Sequence, residues 1–316
     1  MGGDREPAHG HDAARHHTPR DRATAYDPPA PGSAGAVVLT RLRGLVHELY
    51  ALELAVRRDE PDAVHRMRVA TRRLRSALKT YRKVLDRAAT DPVEAELKWL
   101  GAVLGRARDA EVLRDRLTTQ LRALPPELVL GPVQARIVGR STRDYHDAHR
   151  RIVQALDGPR HAALRGALDA VLERPPLRPA AWRKARPVLE RVERRERRRV
   201  AARLEAAYAL EPGPERDAAL HEARKAAKRA RYAGETARGV LGKSGRRFTR
   251  RMKRLHQALG THQDAVASRE ALRLLGVQAH GAGENAFTYG LLHHAQTAEA
   301  EAVAAEVRGR AKHLLS

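Results

Sequence analysis

Two dodecapeptides in this chain place one histidine and three cations at the same spacing. The first, VHRMRVATRRLR, has His65, Arg68, Arg72 and Arg75 at offsets 0, 3, 7 and 10. The second, LHEARKAAKRAR, has His221, Arg224, Lys228 and Arg231 at those offsets. On a helix advancing about 100° per residue, such offsets collapse into one narrow stripe. The first stripe continues through Lys79 and Arg82. A row of guanidinium and ammonium groups with an imidazole at its head supplies donors and positive charge, the chemistry that holds phosphate oxygens. Like charges three and four apart cost an isolated helix a few tenths of a kcal/mol per pair, and no Asp or Glu shares this sector between His65 and Arg82. The stretch Glu190 to Arg197 looks different, with Glu placed three and four residues from Arg as on an ordinary solvated face. Stripes that lack this relief, and that occur twice, are expected to form an anion site.

The other faces of these segments say how they pack. Met67, Ala70, Leu74, Leu78, Tyr81 and Leu85 form an apolar face on the first. The second is filled by Ala223, Ala226, Ala227, Ala230, Ala233 and Gly234, small residues that let helices approach closely and are expected to bring it near the first.

The elements that carry the stripes are helical. Periodicity and breakers predict helices at 37–58, 62–88, 92–122, 132–156, 160–173, 180–209, 215–240, 244–275 and 284–314. Asp91-Pro92 and Gly242 are among the breaks. No segment alternates as a strand does. The duplication extends past the stripes: Leu104-Gly105 with Asp109 matches Leu259-Gly260 with Asp264, and Lys98 matches Lys253. Asp109 and Asp264 are expected to cap a helix end or pair with a stripe arginine. The predicted fold is all-α, two pseudo-twofold-related antiparallel bundles around a central basic cleft. A Gly-, Pro- and His-rich leader is expected at 1–35, then one domain at 36–316 with halves 36–176 and 177–316. Trp99 and Trp182 are expected to pack inside the bundles.

Composition points the same way. The 316 residues carry a formal charge of +23, so acidic partners are expected. The leader has four Arg against five acids, which leaves the excess charge on the folded part. The absence of cysteine excludes disulfides, thiolate metal sites and cysteine nucleophiles. No apolar run reaches membrane-spanning length and no signal-peptide-like stretch opens the chain, so a cytoplasmic protein with no membrane partner is expected.

The motif H-x-x-R-V-x-x-R-R-L-R at His65–Arg75, its echo at His221–Arg231 and the paired LG-x-x-x-D segments resemble the CHAD family, the conserved-histidine α-helical domain. The resemblance covers 36–316 and implies inorganic polyphosphate as the partner, with association with polyphosphate granules. The E-x-E-x-K signature of the triphosphate-tunnel domain often fused to such domains is not found, and a stand-alone binding module is expected. Carried onto this chain, the motif lands on His65, Arg68, Arg72, Arg73 and Arg75, and on His221, Arg224, Lys228, Arg229 and Arg231. Lys79, Lys225, Lys98 and Lys253 are additional candidates. Lys225 and Lys228 depart from Val69 and Arg72 of the first copy, so the halves are expected to bind unequally. Affinity is expected to weaken as pH climbs through the histidine range. Nucleic-acid backbone binding is a secondary alternative, weakened by the 3 % aromatic content. A metal-dependent polyphosphate hydrolase is the other, weakened because neither stripe offers clustered carboxylates. No catalytic residue, metal or cofactor is expected, and oligomeric state is not legible.

Overall fold

The computed structural model describes residues 27–315, so most of the expected leader lies outside the described residues. Residues 33–35 already belong to the fold. Ser33 caps α1 (Ala34–Ala51) by accepting from the Ala36 amide at 3.2 Å, and the amide of Ala34 donates to the Arg183 carbonyl. A short α2 (Glu53–Arg57) leads to α3 (Ala63–Thr80), the first stripe helix, and to α4 (Arg87–Arg122). Then come α5 (Val133–Asp157), α6 (Pro159–Glu173), α7 (Ala185–Tyr208), α8 (Pro214–Gly281) and α9 (Phe287–Leu315). Among the described residues there is no strand, only two isolated bridges.

Three boundaries depart from expectation, while the break at Gly242 falls where the sequence places it. Helix α3 stops at Thr80, because the link to Arg87 finds tertiary backbone partners: Asp86 N–H donates to Pro176 O, and Arg178 N–H donates to Val84 O. Helix α4 begins before Pro92 and runs through it, since in the second turn the ring removes only one intrahelical bond. Helix α7 starts five residues later than expected, after a 3₁₀ turn at Pro179–Trp182. Gly242, at φ +58°, breaks α8 into limbs 214–241 and 243–281; this backbone region costs a side chain but not glycine. The limbs fold back on each other, with Gly234 so close to Thr249 and Phe248 that no Cβ fits between them.

The halves are antiparallel bundles related by the duplication: α4 packs between α3 and α5, and limb 243–281 packs among limb 214–241, α7 and α9. The apolar face of α3 is buried as its spacing predicts, with Met67, Ala70 and Leu74 fully covered. The halves also interlock. The first core takes Ala185, Leu189 and Val192 from α7 and Ala233, Ala237 and Leu241 from α8. A separate cluster joins the far tips of the two hairpins, setting Leu117, Leu121, Val133 and Ile137 against Leu272, Leu275, Tyr289 and Leu292. Trp99 is half-buried beneath the Arg160 guanidinium, but Trp182 is 48 % exposed and does not pack as expected. Among the described residues no helix is long and apolar enough to cross a membrane.

Candidate anion-binding cleft

The two stripes meet. Helix α3 packs against α8, and the Arg72 Nε donates to the Tyr232 hydroxyl at 2.9 Å. Between the halves lies an open cavity of about 600 Å³ lined by α3, α4, α7 and limb 214–241. Of the sequence candidates, Arg68, Arg72, Arg75, Lys79, Lys98, Lys225, Lys228 and Arg229 line it. Arg224 sits beside it, close enough to Arg72 and Lys228 to act on both electrostatically.

The LG-x-x-x-D segments turn out to be seats for stripe arginines. Gly105 faces the Arg68 guanidinium, whose Nε lies 3.6 Å from where a Cβ would stand, and Asp109, one turn on, pairs with Arg68 at 3.5 Å. Gly260 faces Arg224 in the same way at 3.7 Å, and Asp264, one turn on, acts on Arg224. In each copy a missing side chain makes room for a guanidinium; in the first a carboxylate pairs with it, and in the second a carboxylate acts on it only electrostatically. Burial pushes the Asp264 carboxyl upward, against the pull of Arg224.

Electrostatics in the cleft are set by crowding. Burial, then Arg72, Arg224, Arg68 and Arg75, bring Lys228 from 10.5 down to about 7. Burial and the charges of Arg224, Lys228, Arg231 and Arg72 hold His256 down at about 3, and neither of its ring nitrogens has a partner. His65 and His221 are also lowered, first by burial and then chiefly by Arg108 and Lys225 respectively, and each leaves a buried Nδ1 unpaired. Among the described residues Arg72 and Lys228 form no ion pair. The cleft therefore holds donors and positive charge that the protein itself does not satisfy, which stores a cost that an anion relieves.

Several expectations need correction. The first stripe is not free of acids: α4 supplies Glu94 to Arg75 and to Lys79 (3.1 Å), and Asp91 to Arg82 (2.9 Å). On the second stripe Glu235 takes Arg231 at 2.9 Å, Glu196 takes Arg229 at 2.7 Å, and Glu222 takes Lys225. Arg73 points out of the cleft, 3.6 Å from Glu48 and Glu235, because it lies off the stripe angle. Lys253 is exposed and does not line the cavity, unlike its counterpart Lys98. His65, His221 and Arg231 also lie off the cavity wall. The Glu190 to Arg197 stretch is no plain solvated face: Glu196 is fully buried and gathers Arg195, Arg199 and Arg229.

The sequence reading missed Arg199 and Arg203 of α7 and Tyr232 on the wall, and His256, which lies close to Arg224 and Lys228 but off the wall. Arg199 and Arg203 stand four apart, a spacing that puts them on one helix face and was the available signal. Tyr232 is buried between Arg72 and the cations Arg73 and Arg231, so it offers no open ring for a base to stack on. Among the described residues no group of three or more His, Asp or Glu is placed to hold a metal ion.

A family profile described as CHAD domain matches residues 40–273. Curated relatives include the uncharacterised proteins Rv2226 and MT2285 of two Mycobacterium tuberculosis strains, H37Rv and CDC 1551. Each is 40 % identical over 257 residues, which is 81 % of this chain and 48 % of the relative. The chain thus spans about half the length of the curated relatives it matches. Among solved structures, PptA from Streptomyces chartreusis superposes with a TM-score of 0.70 at 25 % identity, covering 86 % of this chain and 96 % of that one. The CHAD domain from the plant Ricinus communis gives 0.58 at 25 % identity, covering 93 % of each.

Proposed function

This chain belongs to the CHAD domain family, and from that premise we propose that its central cleft holds inorganic polyphosphate without cutting it. Family membership and likeness to solved members support a polyphosphate-related role. The observation that carries the finer reading is the meeting of Arg72 and Lys228, one from each stripe, with neither paired to a carboxylate. A linear chain of phosphates offers only oxygen acceptors and repeating charge, so its receptor needs a dense run of Arg and Lys and no base-reading groups. The cleft is built that way, with Lys228 neighboured by Arg68, Arg72, Arg75 and Arg224. Among the described residues the one carboxylate on its wall, Glu222, is already engaged by Lys225, so we assign no residue a catalytic role. Holding the polymer would place the protein on polyphosphate granules.

The test is binding of long-chain polyphosphate at moderate salt by wild type and by Arg72→Glu with Arg224→Glu. The double variant should lose binding, and DNA at equal phosphate concentration should not displace polyphosphate from wild type. Undiminished binding by the variant removes the cleft as the site. Release of orthophosphate in the presence of Mg²⁺ or Mn²⁺ overturns the non-catalytic reading.

A further inference from the structure

A second run of cations, outside the cleft, gathers at the corner where α8 reverses. Arg238, Lys243, Arg246, Arg247 and Arg250, with Thr249, line an open cavity of about 640 Å³ around Gly242. All five cations are exposed, and among the described residues none of them forms an ion pair. Nearby acids are engaged elsewhere: Glu235 pairs with Arg231, Arg41 and Arg73, Glu190 with Arg186, and Glu193 with Arg197.

The duplication shows that this is a departure, not a default. The LG-x-x-x-D helices match at a register of 155 residues, from Asp109 to Asp264, which sets Arg246 where the first half has Asp91 and Thr249 where it has Glu94. The stripes match at 156, from His65 to His221, which sets Arg238 where the first half has Arg82. In the first half Asp91 and Glu94 neutralise Arg82, Lys79 and Arg75. In the second, the same positions present more positive charge and nothing to balance it. Exposed side chains contribute no core packing, so the fold gains nothing from this repulsion. The wall also offers no aromatic ring or carboxylate that would select a base or a metal. What fits is a dense, flexible anion that spreads over several forked donors.

We propose that the Gly242 corner is a second phosphate-chain site, so that one protein grips a phosphate polymer at two places, the cleft and the corner. The proposal rests on the cleft reading for its ligand class. Two sites raise the effective concentration of a long chain at the second once the first is filled, a gain denied to chains too short to span both.

Titration calorimetry with the full chain tests it, using a short polyphosphate of defined length and then a long one. Wild type should bind two short chains, and Arg246→Glu with Arg250→Glu should bind one. That variant should also bind long polyphosphate about tenfold more weakly or worse. Arg246→Ala with Arg247→Ala provides a milder second variant, and circular dichroism checks that both fold. One equivalent on wild type, or two on the corner variant, overturns the proposal. Orthophosphate or single-stranded DNA that fills the corner as well as the short chain overturns its ligand class. The cleft variant Arg72→Glu with Arg224→Glu separates the readings: it should keep one equivalent, at the corner, and if it keeps two the cleft reading fails while the corner stands.

Discussion

If the cleft holds polyphosphate as proposed, Lys228 should make that binding a proton-uptake reaction at alkaline pH. Its fall from 10.5 to about 7 in the free protein corresponds to about 5 kcal/mol against charging it. Besides burial, the groups responsible are Arg68, Arg72 and Arg75 from α3 and Arg224 from its own limb; the uncharged His256 neighbours it from the returning limb, and Arg199 and Arg203 of α7 stand on the same wall. A polyanion laid along the cleft should offset their effect and bring the lysine back toward its ordinary value. At pH 8 about one tenth of the free protein carries the ammonium and nearly all of the complex does, so binding takes up about 0.9 proton. Affinity then falls toward tenfold per pH unit between about pH 8 and 10. His65 and His221 are uncharged at pH 8 in the free protein, and His256, at about 3, is too. Calorimetry at pH 8 in two buffers of different ionisation enthalpy, neither containing phosphate, counts the protons directly. Lys228→Arg keeps the charge at every pH and should bind with almost no uptake, while Lys228→Met should bind weakly and also without uptake. An uptake near zero in wild type, or an uptake that Lys228→Arg leaves in place, refutes the argument. The stability sign is opposite to that of an ordinary ion-paired lysine. Because the unfolded chain binds more protons between pH 7 and 10.5, this group makes the free protein more stable as pH rises through that window.

Two further outcomes follow from the carboxylates and glycines that frame the cleft. Glu94→Gln withdraws the acid that competes for Arg75 and Lys79; it should raise polyphosphate affinity about fivefold, near 1 kcal/mol, by titration at fixed salt, and an unchanged affinity would mean those two cations do not touch the chain. Gly260→Val fills the seat of the Arg224 guanidinium, 3.7 Å from the would-be Cβ. Helix propensity slightly favours valine, so thermal stability should hold while affinity drops several-fold, and loss of both together would make Gly260 a packing residue only.

Much of this architecture is written in local spacing. The stripe on α3 and the apolar face beneath it are both set by residues three and four apart, and both are where the helical period puts them. The duplication was legible because LG-x-x-x-D recurs in order with the stripes. What it does was not, because Gly105 and Arg68 meet across two helices and no spacing along one chain reports a gap on another. The same blindness concealed Glu94. A helical wheel of α3 contains no acid, yet the acid arrives from α4, nineteen residues after Arg75, beyond a link held by tertiary backbone bonds. Tyr81 and Leu85 continue the apolar period and so predict helix through that link, though they are buried outside any helix. The tip cluster of Leu117, Ile137, Leu272 and Leu292 joins segments far apart in the chain and leaves no local trace.

The two halves balance their stripes by different means, and this decides where binding strength resides. The first half neutralises its stripe from α4, through Glu94, Asp91 and Asp109. The second does so from its own limb and α7, through Glu235, Glu222 and Glu196. Among the described residues neither supplies a carboxylate that pairs with Arg72 or Lys228, which meet at the boundary between them. The overall charge of +23 steers polyanions toward the molecule and is screened by salt. The half-buried, unneutralised groups at the boundary are screened much less, and only they regain what crowding has cost them when an anion arrives. Salt should therefore slow capture of polyphosphate more than it loosens the captured chain, so raising ionic strength should depress the association rate more steeply than it raises the dissociation rate. A dissociation rate that responds to salt as strongly as the association rate would place the binding energy on the exposed surface instead of in the cleft.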